Sequence, residues 1–205
     1  MKRAIFIFAV LVLAFSAMGA GFSSYSDSVA INSNCTTGTV AMGIVCLNML
    51  PDGSQLFPQA GQSDQAPSPT GTITTSDGNF KGSIGGSSYF DGLTINAYNC
   101  QLGFSPGLQL EIANVGTLPA RLSGLSFDWG YLASSVTLCN WSFIRPDGVL
   151  AGGTDVLSLQ EALNQVVIKP QERLDLAVQM QFANDVDEGV CAVNMQYDLW
   201  NVDTP

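Results

Sequence analysis

The sequence predicts an all-β fold, a jelly-roll-like β-sandwich of about eight or nine strands with one short helix. Apolar and polar residues alternate with a period of two in several stretches, the mark of a half-buried strand. Turn signals punctuate those stretches: the chain has 21 glycines, and Asp-Gly pairs begin at Asp52, Asp77, Asp91 and Asp147. Glycine accepts the positive φ that such tight turns require. A length of 205 residues, 46% of them apolar and 12% charged, suits one packed domain rather than a disordered tail.

Residues 1–20 read as a secretory signal. Lys2 and Arg3 precede an apolar run over residues 4–17, too short for a comfortable membrane span, and the small residues of "AMGAG" follow, placing cleavage between residues 20 and 24. The expected product is extracellular and meets a membrane only as its precursor. Removing Lys2 and Arg3 leaves five basic residues (seven less two) against 17 acidic ones, a formal charge of −12. Phosphate backbones repel such a chain, so nucleic acid is not an expected partner.

Residues 21–37 come next, within "GAGFSSYSDSVAINSNCTTGTV". As a strand, Tyr25, Asp27, Val29, Ile31 and Cys35 share one face, only part of which is apolar. An isolated strand leaves its N–H and C=O groups unpaired, so this segment needs a sheet. It either pairs as the first strand of its own domain or adds to an open edge on a neighbouring copy.

Residues 38–205 read as the sandwich itself. Residues 51–88, rich in Gly, Ser, Thr, Pro and Gln, suggest surface loops with one hairpin around residues 70–81. Leu108, Leu110 and Ile112 alternate with Gln109, Glu111 and Ala113. Thr137, Cys139, Trp141 and Phe143 fall on one face of a strand, so Cys139 is expected to point inward. "SLQE" from Ser158 has the capping-box pattern that starts a helix. Leu174, Leu176, Val178, Met180 and Phe182 mark a further strand, and Cys191, Val193, Met195, Tyr197 and Leu199 the last, with Cys191 inward.

Five cysteines, Cys35, Cys46, Cys100, Cys139 and Cys191, all follow the signal, where an oxidising compartment favours disulfides. Their spacing does not fix a pairing, and the odd count leaves one over. Cys35, if that one, would clamp two subunits together. Asn34 and Asn140 head N-glycosylation tripeptides. Asp185, Asp187 and Glu188 collect oxygen atoms that calcium favours, but the spacing misses the EF-hand loop, and a solvated turn is the plainer reading.

With no histidine in the sequence, the Ser/His/Asp triad, the Cys/His dyad and the HExxH zinc site are excluded. No nucleotide-binding glycine motif is present, and no Asp/Glu pair stands out for carboxylate catalysis. The expectation is a non-enzyme without a cofactor.

"YSD" at residues 25–27, followed by "TTGTV" ending at Val40, resembles the signature that follows the signal peptide in the TasA and camelysin family. "IANVGTLPARLSGLSF" over residues 112–127 and "VVIKPQERLDLAVQMQF" over residues 166–182 are similar to two later strands of that family. The resemblance implies a secreted jelly roll. In bacterial and archaeal members it implies assembly into biofilm fibres or bundling pili through donated N-terminal strands. The five cysteines and the Gly/Ser-rich stretch depart from the family pattern, and camelysin's metallopeptidase label does not fit a histidine-free chain. The reading is a homopolymer of an extracellular, cell-surface filament, with lateral bundling as a further partner interaction. Two alternatives stay open: a type IV-like pilin that keeps its apolar N-terminal helix, and a secreted monomeric carbohydrate- or calcium-binding module using aromatics such as Tyr89, Phe90 and Trp200.

Overall fold

In the computed structural model, which describes residues 38–53, 56, 69–145 and 147–200, the period-two stretches become antiparallel strands. In chain order the described strands are β1 Met42–Leu50, β2 Thr72–Asp77, β3 Phe80–Ile84, β4 Ser87–Phe90, β5 Gly92–Cys100 and β6 Gly107–Asn114. Then come β7 Ala120–Asp128, β8 Val136–Ile144, β9 Leu150–Gly153, helix α1 Val156–Leu163, β10 Val167–Ile168, β11 Arg173–Phe182 and β12 Val186–Leu199. Eight of these strands run six residues or more; β3, β4, β9 and β10 are shorter.

They form two sheets, one ordered β3-β4-β1-β6-β11-β8-β9 and the other β10-β7-β12-β5-β2. The fold is an all-β sandwich with one helix, as the sequence predicts. Most neighbours in each sheet are distant in sequence, because the chain repeatedly crosses from one sheet to the other, in the manner of Greek-key sandwiches. Leu108, Leu110 and Ile112 of β6 face Leu174, Leu176, Val178, Met180 and Phe182 of the neighbouring β11 along one wall of the core. Leu93, Ile95, Ala97, Cys191 and Val193 build the opposite wall. Each fully buried Leu, Ile or Phe contributes about 1.5–3 kcal/mol, offset by the entropy of ordering it.

Asn114, fully buried, anchors the end where the described chain enters. Its amide donates to the carbonyls of Leu118 and Ile168, each at 2.8 Å, and its oxygen accepts the Gly116 N–H at 2.9 Å. Gly116 must be small: a Cβ there would lie 2.4 Å from the Thr39 carbonyl oxygen. The "NVG" motif is therefore a self-satisfied buried turn.

Several expectations need correction. The stretch over residues 51–88 carries β2, β3 and the start of β4, and its hairpin is β3–β4 around Gly85-Gly86 rather than residues 70–81. Helix α1 is capped by Asp155, whose carboxylate accepts the Ser158 N–H at 2.8 Å, so Ser158 lies inside the helix. In β8 a bulge intervenes: Leu138 opposes Met180 and Asn140 opposes Gln179, leaving Cys139 unpaired between them. The extra residue shifts the alternation, so Val136 and Leu138 face inward before it and Trp141 and Phe143 after it. Cys139 instead donates its thiol to the Gln179 carbonyl at 3.3 Å.

Candidate functional site

Two seams run between the edges of the sheets. At the first, helix α1 packs against β7 of one sheet and β9 of the other, inserting Leu159 and Leu163 into the core. Its start is tied to β8: the Trp141 indole N–H donates to the Asp155 carbonyl at 3.0 Å and to the Ser158 hydroxyl at 3.1 Å. Beyond the helix, Phe127, Trp129, Val136, Leu138 and Met180 line a remaining slot of about 330 Å³.

The second seam lies between β1 and β2. Strand β2 ends its sheet, and among the described residues β1 is joined on its outer side only where Ile44 meets Phe90 of β4. From Val45 to Leu50 in β1, and along all of β2, no described strand pairs with the outer main-chain groups. Cys46, Met49 and Ile73 are half-buried in the gap. Met49, Leu50, Thr72, Ile73 and Phe104 enclose a cavity of about 260 Å³ at one end. Burial pushes the Cys46 thiol up, partly offset by a hydrogen bond with Thr75 across the gap. It therefore stays a neutral lining group.

A third feature lies on the outer face of the larger sheet. Glu111, only 7% exposed, accepts the hydroxyl proton of Tyr89 and pairs with Arg173 at 3.6 Å. Asp175 stands directly opposite Glu111 across the β6–β11 pair. The two carboxylates border a groove of about 390 Å³ rimmed by the exposed side chains of Leu47, Ile144 and Leu150. The sequence showed a charge inside the apolar run "LQLEIAN", but not which residue would face it.

Of the sequence-derived sites, Tyr25, Asp27, Val29, Ile31, Cys35 and Asn34 lie outside the described residues. Among the described residues Cys46, Cys100, Cys139 and Cys191 form no disulfide with one another. Cys46 lies in the β1–β2 gap, Cys139 at the β8 bulge, and Cys191 opposite Ile95 inside the core. Burial raises the thiol pKa at each of the four, up to about 12 for Cys191. Asn140 is half-buried and donates its amide to Gln179 at 2.7 Å. Asp185 accepts the Leu102 N–H at 2.7 Å, while Asp187 and Glu188 are consecutive strand residues directed to opposite faces. Among the described residues no group of three Cys, Asp or Glu side chains could hold a metal ion. Tyr89 is buried, which removes it as a sugar-stacking platform, and Phe90 is half-buried and packs edge-on against Phe80.

Among the described residues no helix is long and apolar enough to cross a membrane. Comparison with known proteins finds neither a family model nor a curated protein that matches the chain.

Proposed function

We propose that the protein is the structural subunit of an extracellular filament, polymerising by donation of residues 25–37 into the β1–β2 seam of the next copy. The observation that supports this reading is the pair of facing strand edges whose outer main-chain groups have no partner among the described residues. A strand added to either edge would satisfy that edge's groups, and its alternate side chains would set the register. Val29 and Ile31 lie on one face of the donated segment, and the gap offers Cys46, Met49 and Ile73 to meet them. Burying the two contributes about 3–6 kcal/mol before ordering costs are subtracted. A head-to-tail contact of this kind does not close on itself, so it propagates as a filament.

Electron microscopy of the secreted protein, with and without residues 25–37, tests the proposal. The intact protein is expected to form filaments and the deletion to give soluble monomer. Filaments that persist after the deletion would rule the mechanism out.

A further inference from the structure

The outer face of the five-stranded sheet is dented where β7 runs beside β12. Gln196 opposes Gly124 and Tyr197 opposes Leu122, so Ser123 is an extra residue, a bulge in β7. Leu122 and Leu125 both enter the core, which leaves Ser123 and Gly124 side by side at the dent. Neither crowding nor backbone conformation demands a glycine there. A Cβ at Gly124 would meet nothing nearer than the Gln196 side-chain oxygen at 3.5 Å, and its φ is not in the left-handed region. Its effect is to keep the floor of the dent low, as glycines inside strands do where something must approach closely.

Amides form the walls. On β12, Asn194 and Gln196 alternate with core residues and so share the outer face. Helix α1 packs beside β7 and brings up Gln160 and Asn164, one helical turn apart, to close a recess of about 250 Å³. The Ser126 hydroxyl donates to the Asn194 carbonyl at 3.5 Å. The four side-chain amides have no hydrogen-bond partner among the described residues. Among the described residues no charged side chain lines the recess, in a sequence with 17 acidic residues.

We propose that this recess binds one neutral sugar ring, held by Asn194 and Gln196 on one wall and Gln160 and Asn164 on the other, over the floor left by Gly124. Each amide offers both a donor and an acceptor, and each sugar hydroxyl offers both from a single atom, so the two chemistries satisfy one another. An ion finds no counter-charge there. A peptide backbone is the poorer match, because β12 is paired on both sides and β7 is flanked by β12, β10 and α1, leaving no strand edge to extend. The volume lies below the roughly 300 Å³ at which drug-sized sites begin, which suits a single ring. The site is built from the sandwich alone and stands whether or not strands are donated between copies.

Saturation-transfer NMR from the secreted full-length protein to the methyl glycosides of glucose, mannose and galactose tests the site, since the signal is read on the sugar whether the protein is dispersed or assembled. At least one glycoside is expected to bind with a dissociation constant on the order of millimolar, the strength of a few net hydrogen bonds. Glucuronate, which carries a charge, should bind severalfold more weakly. A trisaccharide of the preferred sugar should bind severalfold more tightly if the natural ligand is a polysaccharide, and equally if it is a free sugar. Asn194→Ala removes an exposed amide and Gly124→Ala raises the floor within ordinary contact distance, and each should weaken binding by about two- to tenfold. Asn96→Ala, beside Val190 on the same face but outside the recess, should leave it unchanged. No transfer to any of the three glycosides at about 20 mM, well above a millimolar constant, would overturn the proposal. So would binding that survives both recess variants, equal binding of glucuronate, or an equal loss in Asn96→Ala.

Discussion

The seam between β7 and β9 is largely filled by the chain itself, through helix α1, whereas the seam between β1 and β2 is left with both edges unpaired among the described residues, save where Ile44 meets Phe90. Both lie between the same two sheets, so the difference lies in what the connecting segments supply. The link from β9 to β10 carries "DVLSLQEAL", a capped amphipathic helix with leucines spaced to enter the core. Strand β2 reads "TITTSD", alternating and polar on one side, and presents an edge rather than a plug. A sandwich whose described residues fill one seam and not the other has a direction, which is what a head-to-tail assembly requires.

Damage to the closed seam should produce the largest change in stability. Leu163→Ala empties a fully buried site and is expected to destabilise the domain by about 2–5 kcal/mol in denaturant unfolding. Trp141→Phe keeps the ring stacked on Phe143 but removes the indole donor to Asp155 and Ser158, and should lower stability by about 1–2 kcal/mol.

At the open seam the contrast should reverse. Ile73→Lys places a charge that can snorkel out of a half-buried edge position, so unfolding should change by less than about 1 kcal/mol. Filament formation should nevertheless fail, because an edge charge blocks strand addition. A large loss of stability there would mean that the seam is already closed within one molecule.

The smallest effect expected is the response of α1 to acid. Hydrogen bonds from the Ser158 N–H and hydroxyl hold the Asp155 carboxyl below its ordinary range. Its folded pKa is depressed, so the cap contributes above the ordinary value of about 3.9 and is lost as pH falls through the folded value. Exchange at the first helical turn should therefore quicken slightly in acid.

Strands β6, β11 and β12 were legible because their alternation is local, and every second residue reports the same face. Helix α1 was legible as an element, but its start was placed three residues late: Asp155 and Ser158 both suit a cap, and the sequence alone favoured the serine. The inward face of β8 was misread at a bulge, which depends on pairing with β11. Register hid the opposition of Glu111 and Asp175 as well, since nothing local to either strand says which residues lie across from each other. The cysteines were hard to read for a related reason, since the redox compartment argues for pairing but only the topology says whether two thiols can meet.

Hydrogen exchange compared between assembled and dispersed full-length protein addresses strand donation most directly. On assembly, protection should rise at residues 45–50 of β1 and along β2, and stay constant around α1. A protein that remains dispersed at high concentration, or that gains protection only at other edges, would contradict the account.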